Sequence, residues 1–442
     1  MNITGHPLVD VGLAIATLYC KKKSITDLTE ADLRTSVQFL NDQIDPTKSS
    51  LGSLNNLKVL SSYWQNNPLV AGQNKGADGQ NIPLYRQVLE DAAKEDKGTR
   101  KGCCQICGRD KIFKDVNRSW LPLGASSDGD PCSLPNLSGK FICVICFSAI
   151  VLLPLGCKFV GANPYLYHLA DPEVLCAATK VGFDAVQSQL AAKTSGNEAL
   201  KAKDIKLSGR VALLEIVSGS SLWDKNQGGV LTERLPTGAT IIAFSNSGTS
   251  ATWYQLHLPA QALDFFAELD SAQQVSAGSL RTAFLKWGEL GKQAEYTDIK
   301  TKEKRKNSYF DLLCDDIEQR RSLGFLVRAI VRSRPPTEQV LKKEERQVLE
   351  IYERFALSKQ ERFEMLGRIA ERINEMDQRY SDSFVKQLAN IRSKDALLKI
   401  LTKYAHSEKT QLHISRDELR MLDSENAGEV ISLLYLLCKA EK

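Results

Sequence analysis

The chain has 442 residues, 43% of them hydrophobic and 25% charged, a mix that excludes extended disorder, collagen-like sequence and a membrane bundle. At roughly 150 residues per domain the length allows about three domains, with two the simpler expectation. Lys and Arg number 58 against 53 Asp and Glu, and a net charge of +5 over this length does not by itself identify a nucleic-acid partner.

In chain order, Leu8, Val9, Val11, Leu13, Ala14 and Leu18 predict a first helix. Asp10 interrupts this apolar run, no basic segment precedes it, and Lys21, Lys22 and Lys23 follow, so it reads as a core helix and not a signal peptide. Thr29 with Asp32 resembles a capping box opening a second helix. Leu51, Leu54, Leu57, Leu60, Tyr63 and Trp64 predict another, and the Gly, Asn and Gln cluster from Gly72 to Gln80 a loop. A cysteine-rich region runs from about Lys94 to Cys157, with a turn-forming run at Gly124–Pro131. Its last part, Phe141–Cys157, is 17 residues without a charge. That is short for a membrane span, Pro154 and Gly156 close it, and its C-x-x-C pair fits a buried helix beside a metal.

Strands are expected at Arg210–Val217, Ala239–Phe244 and Thr252–Leu258, with Asn246–Ser250 as a hairpin loop between the last two. After about Ser271 strand signals end, and Lys302–Lys306 reads as a charged joint. Beyond it, Thr337 caps a predicted helix through Val340, Leu341, Val348, Leu349, Tyr352 and Phe355. Phe363 to Met376 gives the next, and Leu388 to Leu401 a further one across a break. Ser415 with Glu418 opens the last, through Leu437, for four or five helices in all. The expected fold class is α+β: a mixed domain over 1–300 with an inserted zinc-binding region at about 94–157, then an all-α bundle over 301–442.

The eleven cysteines are an odd number and include two C-x-x-C pairs, unlike a secreted disulfide framework, which predicts a cytoplasmic protein. Cys104-x-x-Cys107 and Cys143-x-x-Cys146 each let one tight turn aim two sulfurs at a common point. Four thiolates make a closed tetrahedral site, so the expected cofactor is one structural zinc ion, with Cys103 or Cys132 able to replace a ligand. The alternative, cysteines that merely pack, does not account for the paired spacing.

Between Lys94 and Arg118 there are eight basic and four acidic residues. Arg109, Lys111 and Lys114 there are candidate phosphate contacts, with a solvated basic face as the competing reading. Arg321, Arg328 and Arg332 share one helix face with Arg334 just beyond, and Arg328 and Arg332 are further nucleic-acid candidates. Pairing with Asp315, Asp316 and Glu318 is the competing reading there. The five histidines are dispersed, and no phosphate-binding loop or nucleophile elbow is present, so an enzyme is not expected.

The opening Thr4-Gly-His-Pro-Leu-Val-Asp-Val-Gly12 resembles the Thr-Gly-x-Pro-x-Val-Asp-x-Gly start of the CXXC–CXXC large subunits of type I-B CRISPR Cascade. In that family the second C-x-x-C pair runs into an apolar segment ending near Pro-Leu-Gly, here Cys143–Cys146 leading to Leu153–Gly156. The likeness covers about the first 160 residues by motif and the rest by architecture. The chain is short for the family, which leaves open a reduced, transposon-associated version. The resemblance implies a non-catalytic subunit beside the 5′ end of the crRNA that recognises the PAM in double-stranded target DNA, assists R-loop formation and recruits an effector. That effector is a helicase-nuclease or transposition machinery. It also implies backbone, 5′-handle-binding and small subunits as partners, and a small-subunit-like C-terminus along the displaced strand. A metal-dependent nuclease and a zinc-stabilised scaffold without DNA contact are the rival readings.

Overall fold

The computed structural model describes residues 1–44, 81–94, 100–113, 142–160, 163–192, 209–223, 232–245, 252–273, 279–290, 296–297, 304–305, 309–391, 393–407, 410 and 412–440. The helix expected at 51–64, the loop at 72–80, the turn at 124–131, the hairpin loop at 246–250, and Lys114 and Cys132 lie outside them. The chain divides into two units, Met1–Ile216 with Ala239–His257, and Val217–Gly238 with Leu258–Lys442.

The first unit is built around helix α1 (Pro7–Tyr19), in which every residue from Pro7 to Thr17 is buried. A helix apolar all round belongs inside a core. Here α2 (Glu30–Ile44), α4 (Val144–Val151), α5 (Pro172–Ala192) and strand β4 (Asn163–Leu169) surround it. Gly12 sets one of these distances: a Cβ there would lie 1.9 Å from the carbonyl oxygen of Ala149, so α1 and α4 meet backbone to backbone. The start of α1 has no side-chain cap at His6; instead the buried Asp10 reaches back. Its carboxylate accepts the Thr4 and Gly5 N–H groups (2.6 and 2.9 Å) and the Thr4 hydroxyl (2.8 Å). The Thr29–Asp32 box forms as expected, each side chain bonding the other's backbone N–H (3.2 and 2.9 Å) at the head of α2.

Helix α3 (Asn81–Ala93) packs on α2 and α4. After α4 comes a four-stranded antiparallel sheet in the order β3 (Lys158–Val160), β4, β5 (Ala239–Ser245), β6 (Thr252–Leu258). Lys158 stands opposite Tyr165, and Tyr165 opposite Ala243. A side-chain bond of 3.0 Å between Thr240 and His257 bridges β5 and β6, both expected from the sequence, β6 by its alternation. Arg210–Val217 was expected as a strand and is instead part of helix α6 (Arg210–Ser218). Ala212, Leu213 and Val217 are buried at helical spacing, and a short apolar run carries no period that separates the two states.

The second unit is helical: α7 (Ala260–Gln273), α8 (Ser279–Leu290), α9 (Tyr309–Glu318), α10 (Gly324–Ser333), α11 (Lys343–Ile351), α12 (Gln360–Glu375), α13 (Gln378–Asn390), α14 (Lys394–Ala405), α15 (Arg416–Ser424) and α16 (Ala427–Cys438). The predicted boundary near 300 falls between α8 and α9, inside this unit. Among the described residues eight helices follow Tyr309, where four or five were expected. The extra count has local causes. Pro335–Pro336 leaves Thr337 in a single 3-10 turn, and α11 starts only at Lys343, where Glu345 accepts the Lys342 N–H. The Ser415–Glu418 box opens α15, but that helix ends at Ser424 and Asn426 caps a new one. Tyr296–Thr297 and Lys304–Arg305 also pair as a two-residue ladder where strands were expected to have ended.

Helix α16 is buried from Val430 to Cys438 and is flanked by α10, α12, α13 and α14. A second nucleus joins the rings of Phe265, Phe266, Phe284, Trp287 and Tyr352, with centroids 5.1–6.2 Å apart. Edge-on ring contacts of this kind add to the area they bury.

Candidate metal centre

Residues Arg100–Lys101 (β1) and Lys111–Ile112 (β2) pair as a small antiparallel hairpin with Arg100 opposite Ile112. Its tip is the first C-x-x-C turn. The Cys104 carbonyl accepts the Gly108 N–H at 2.9 Å, and the Cys104 N–H donates to the Arg109 carbonyl at 2.7 Å. Gly108 has φ +75°, a left-handed conformation that a side chain disfavours, and it closes the knuckle. The second pair is held by a helix start: Cys143 is the N-cap of α4, its sulfur accepts the Cys146 N–H at 3.5 Å, and Cys146 lies in the first turn. The Phe113 N–H donates to the Ile142 carbonyl at 2.7 Å and fastens the hairpin to the head of α4.

These two turns bring the four sulfurs within 4.8 Å of one another. Cys104 and Cys146 are 3.9 Å apart and Cys107 and Cys143 3.5 Å, far beyond a disulfide length. Tetrahedral bonds of about 2.3 Å would set sulfurs about 3.8 Å apart, so the cage fits a thiolate-bound ion and is compatible with structural zinc. Cys104, Cys143 and Cys146 are buried and Cys107 half-buried. Cys103, weighed as a substitute ligand, is exposed and turns its thiol to the Gly108 carbonyl.

The electrostatics point the same way. Hydrogen bonding with Cys107, Cys143 and Cys146 holds the Cys104 thiol far below its usual range. The same contacts, with Cys104 first, and then burial push Cys146 far above it. Sulfurs this close do not all carry charge together unless a cation sits among them. His6 is nearby: burial first of all lowers its imidazole to about 4, against the opposing pull of Asp10 and Cys104. The buried Asp10 also lies 3.7 Å from the half-buried His168.

The basic candidates separate. Arg109 is exposed and pairs with Glu30 at 2.6 Å, which raises its pKa. Lys111 is exposed on the same hairpin. Arg332 is exposed on α10. Arg328, one turn earlier, is 7% exposed and donates to the carbonyls of Leu388 (3.2 Å) and Ala389 (2.9 Å), with Tyr435 under its guanidinium. It holds the last turn of α13, so its expected surface role is corrected: helix periodicity gives the face but not which face turns inward. Arg321 lies ahead of α10 and pairs with Asp316, and Arg334 pairs with Glu345.

Phe141–Cys157 gives a helix of only eight residues followed by a buried 3-10 turn, and no helix among the described residues is long and apolar enough to cross a membrane. Sequence reasoning missed Asp10 as the lock of the N-terminus; its signal was a lone carboxylate inside an apolar helix. Comparison with protein-family models, curated proteins and solved structures gives no match.

Proposed function

We propose that the chain is the large subunit of a crRNA-guided complex of the type I-B Cascade class, with one zinc ion in the four-cysteine cage bracing a platform for duplex DNA. The carrying observation is that the separate stretches behind the resemblance converge. Thr4–Gly12 builds the head of α1, α1 lies against α4, and Cys143 and Cys146 open α4. Gly156, at the end of Leu153–Gly156, lies against Ile15 of α1. A closed four-sulfur site has no open position for water, so the metal's part is structural. The four cysteines would hold the ion, and the hairpin they brace carries Arg109 and Lys111 outward, where cations meet phosphate.

Platform and guide divide the work in this reading. Exchange of DNA duplex for heteroduplex is nearly balanced in free energy, so modest protein contacts tip it. The test is target capture by the reconstituted guide complex with and without this chain. Capture of PAM-bearing duplex is expected to require the chain and to weaken when Arg109 and Lys111 are both reversed to Glu. Capture that is unchanged without the chain contradicts the proposal. A scaffold role without DNA contact predicts assembly with the complex and no effect of the two reversals.

A further inference from the structure

Two close sulfur contacts cross the cage from one turn to the other. Cys107 of the knuckle lies 3.5 Å from Cys143 at the head of α4, and Cys104 lies 3.9 Å from Cys146 in its first turn. Neither contact lies within a C-x-x-C pair. A disulfide is about 2 Å long, so either pair closes by a shift of less than about 2 Å, which side-chain rotation supplies. Access to the four sulfurs is graded. Cys104, Cys143 and Cys146 are buried and Cys107 is half-buried, so an oxidant arriving from solvent meets Cys107 first. Cys103 is exposed, but its thiol donates to the Gly108 carbonyl at 3.3 Å and stands outside the four-sulfur group.

We propose that the cage is a redox-sensitive clasp in which peroxide converts the four thiolates to two disulfides, Cys107–Cys143 and Cys104–Cys146. The Cys107 thiolate sulfur takes a hydroxyl from hydrogen peroxide, giving sulfenic acid, and hydroxide leaves. The Cys143 thiolate attacks that sulfur, the S–S bond forms, and a second hydroxide leaves. Two thiolates thus lose two electrons, and one peroxide is reduced to two hydroxide ions. The Cys104–Cys146 bridge consumes a second peroxide in the same way. Thiolates are the metal donors, so forming the bridges empties the cage of any ion it holds. Both bridges run from the hairpin to α4. Oxidation therefore keeps Arg100–Ile112 fastened, with Arg109 and Lys111 upon it, whereas metal removal without oxidation loosens it. Pairing within each C-x-x-C would loosen it too. The sulfur positions carry the pairing; the loss of metal rests on the zinc reading.

The test is non-reducing peptide mapping of the full chain by mass spectrometry, after titration with hydrogen peroxide and alkylation of the remaining thiols. Peptides joining Cys107 to Cys143 and Cys104 to Cys146 are expected, with loss of one zinc per chain to a chromogenic chelator. Limited proteolysis is expected to cut within 100–113 after chelation in reductant, and far more slowly there after peroxide. Cys103→Ser is expected to give the same two bridges. The mapping is made on the unaltered chain, so it does not depend on a variant that folds. Bridges within either C-x-x-C pair, a bridge to Cys103, or sulfinic acid without a bridge overturns the proposal. A chain that forms the two bridges and carries no zinc supports the clasp and overturns the zinc reading. A chain that binds zinc and pairs its thiols otherwise overturns the clasp alone.

Discussion

Asp316 shows how one buried group couples stability to pH. Burial raises its carboxyl to about 6, against the lowering effect of Arg321 at 3.8 Å. A carboxyl whose pKa is higher folded than unfolded binds its proton more tightly in the fold. Its favourable contribution is therefore complete below about 3.8 and is lost as the pH rises through about 6. Asp316→Asn removes the titration. Relative to the variant, the wild type is expected to lose roughly 2 kcal/mol of stability between pH 4 and pH 7. Denaturant melts of both proteins across that range check this, and parallel profiles contradict it. Gly12 is a steric counterpart. Gly12→Ala drives a Cβ to 1.9 Å from the Ala149 carbonyl oxygen, which is backbone and does not swing aside. The expected cost is about 3 kcal/mol, at the upper end for overpacking, read as a lowered denaturation midpoint.

Among elements, the π-turn Tyr352–Ala356 departs from α-helical geometry between α11 and α12. It turns Glu353, fully buried, toward Arg362 of α12, which is 2% exposed. Arg362 also reaches Glu425 (2.9 Å) and Glu429 (2.6 Å), and the Ser322 hydroxyl donates to Glu353 at 2.6 Å. Burial raises the Glu353 pKa even beside Arg362, so its charge depends on that partner. Arg362→Met strands the carboxylates and is expected to cost about 3–5 kcal/mol in chemical denaturation. A loss under 1 kcal/mol would show the network to be dispensable. None of this network was legible in the sequence, because its members, from Ser322 to Glu429, are separated by up to 107 positions and a π-turn has no apolar signature. What was legible was local. The Thr29 and Ser415 boxes are read within four residues, strands β5 and β6 within seven, and the cysteine pairs by their spacing. Arg328 and Arg210–Val217 failed for the converse reason. An arginine stripe and a short apolar run each fit two environments, and only tertiary packing chooses.

At the scale of the whole molecule, the proposed metal ion would reinforce a hairpin that has little core of its own. The hairpin Arg100–Ile112 has two-residue strands, and it joins the first unit through the Phe113–Ile142 bond, the Phe113–Phe147 ring contact, the Arg109–Glu30 pair and the four sulfurs. Structural zinc contributes roughly 10–16 kcal/mol in small thiolate sites, so it can fix such a hairpin. Cys104→Ser or Cys143→Ser is therefore expected to abolish metal retention and raise protease sensitivity around 100–113, while the helical unit keeps its melting transition. Acid is expected to release the metal as well, since thiolates must take up protons to let it go. The most direct measurement is zinc X-ray absorption and metal content on the purified 442-residue chain. The account predicts one zinc per chain, bound by four sulfurs at about 2.3 Å. A chain purified without chelators that carries no zinc, or zinc bound by nitrogen and oxygen, contradicts it.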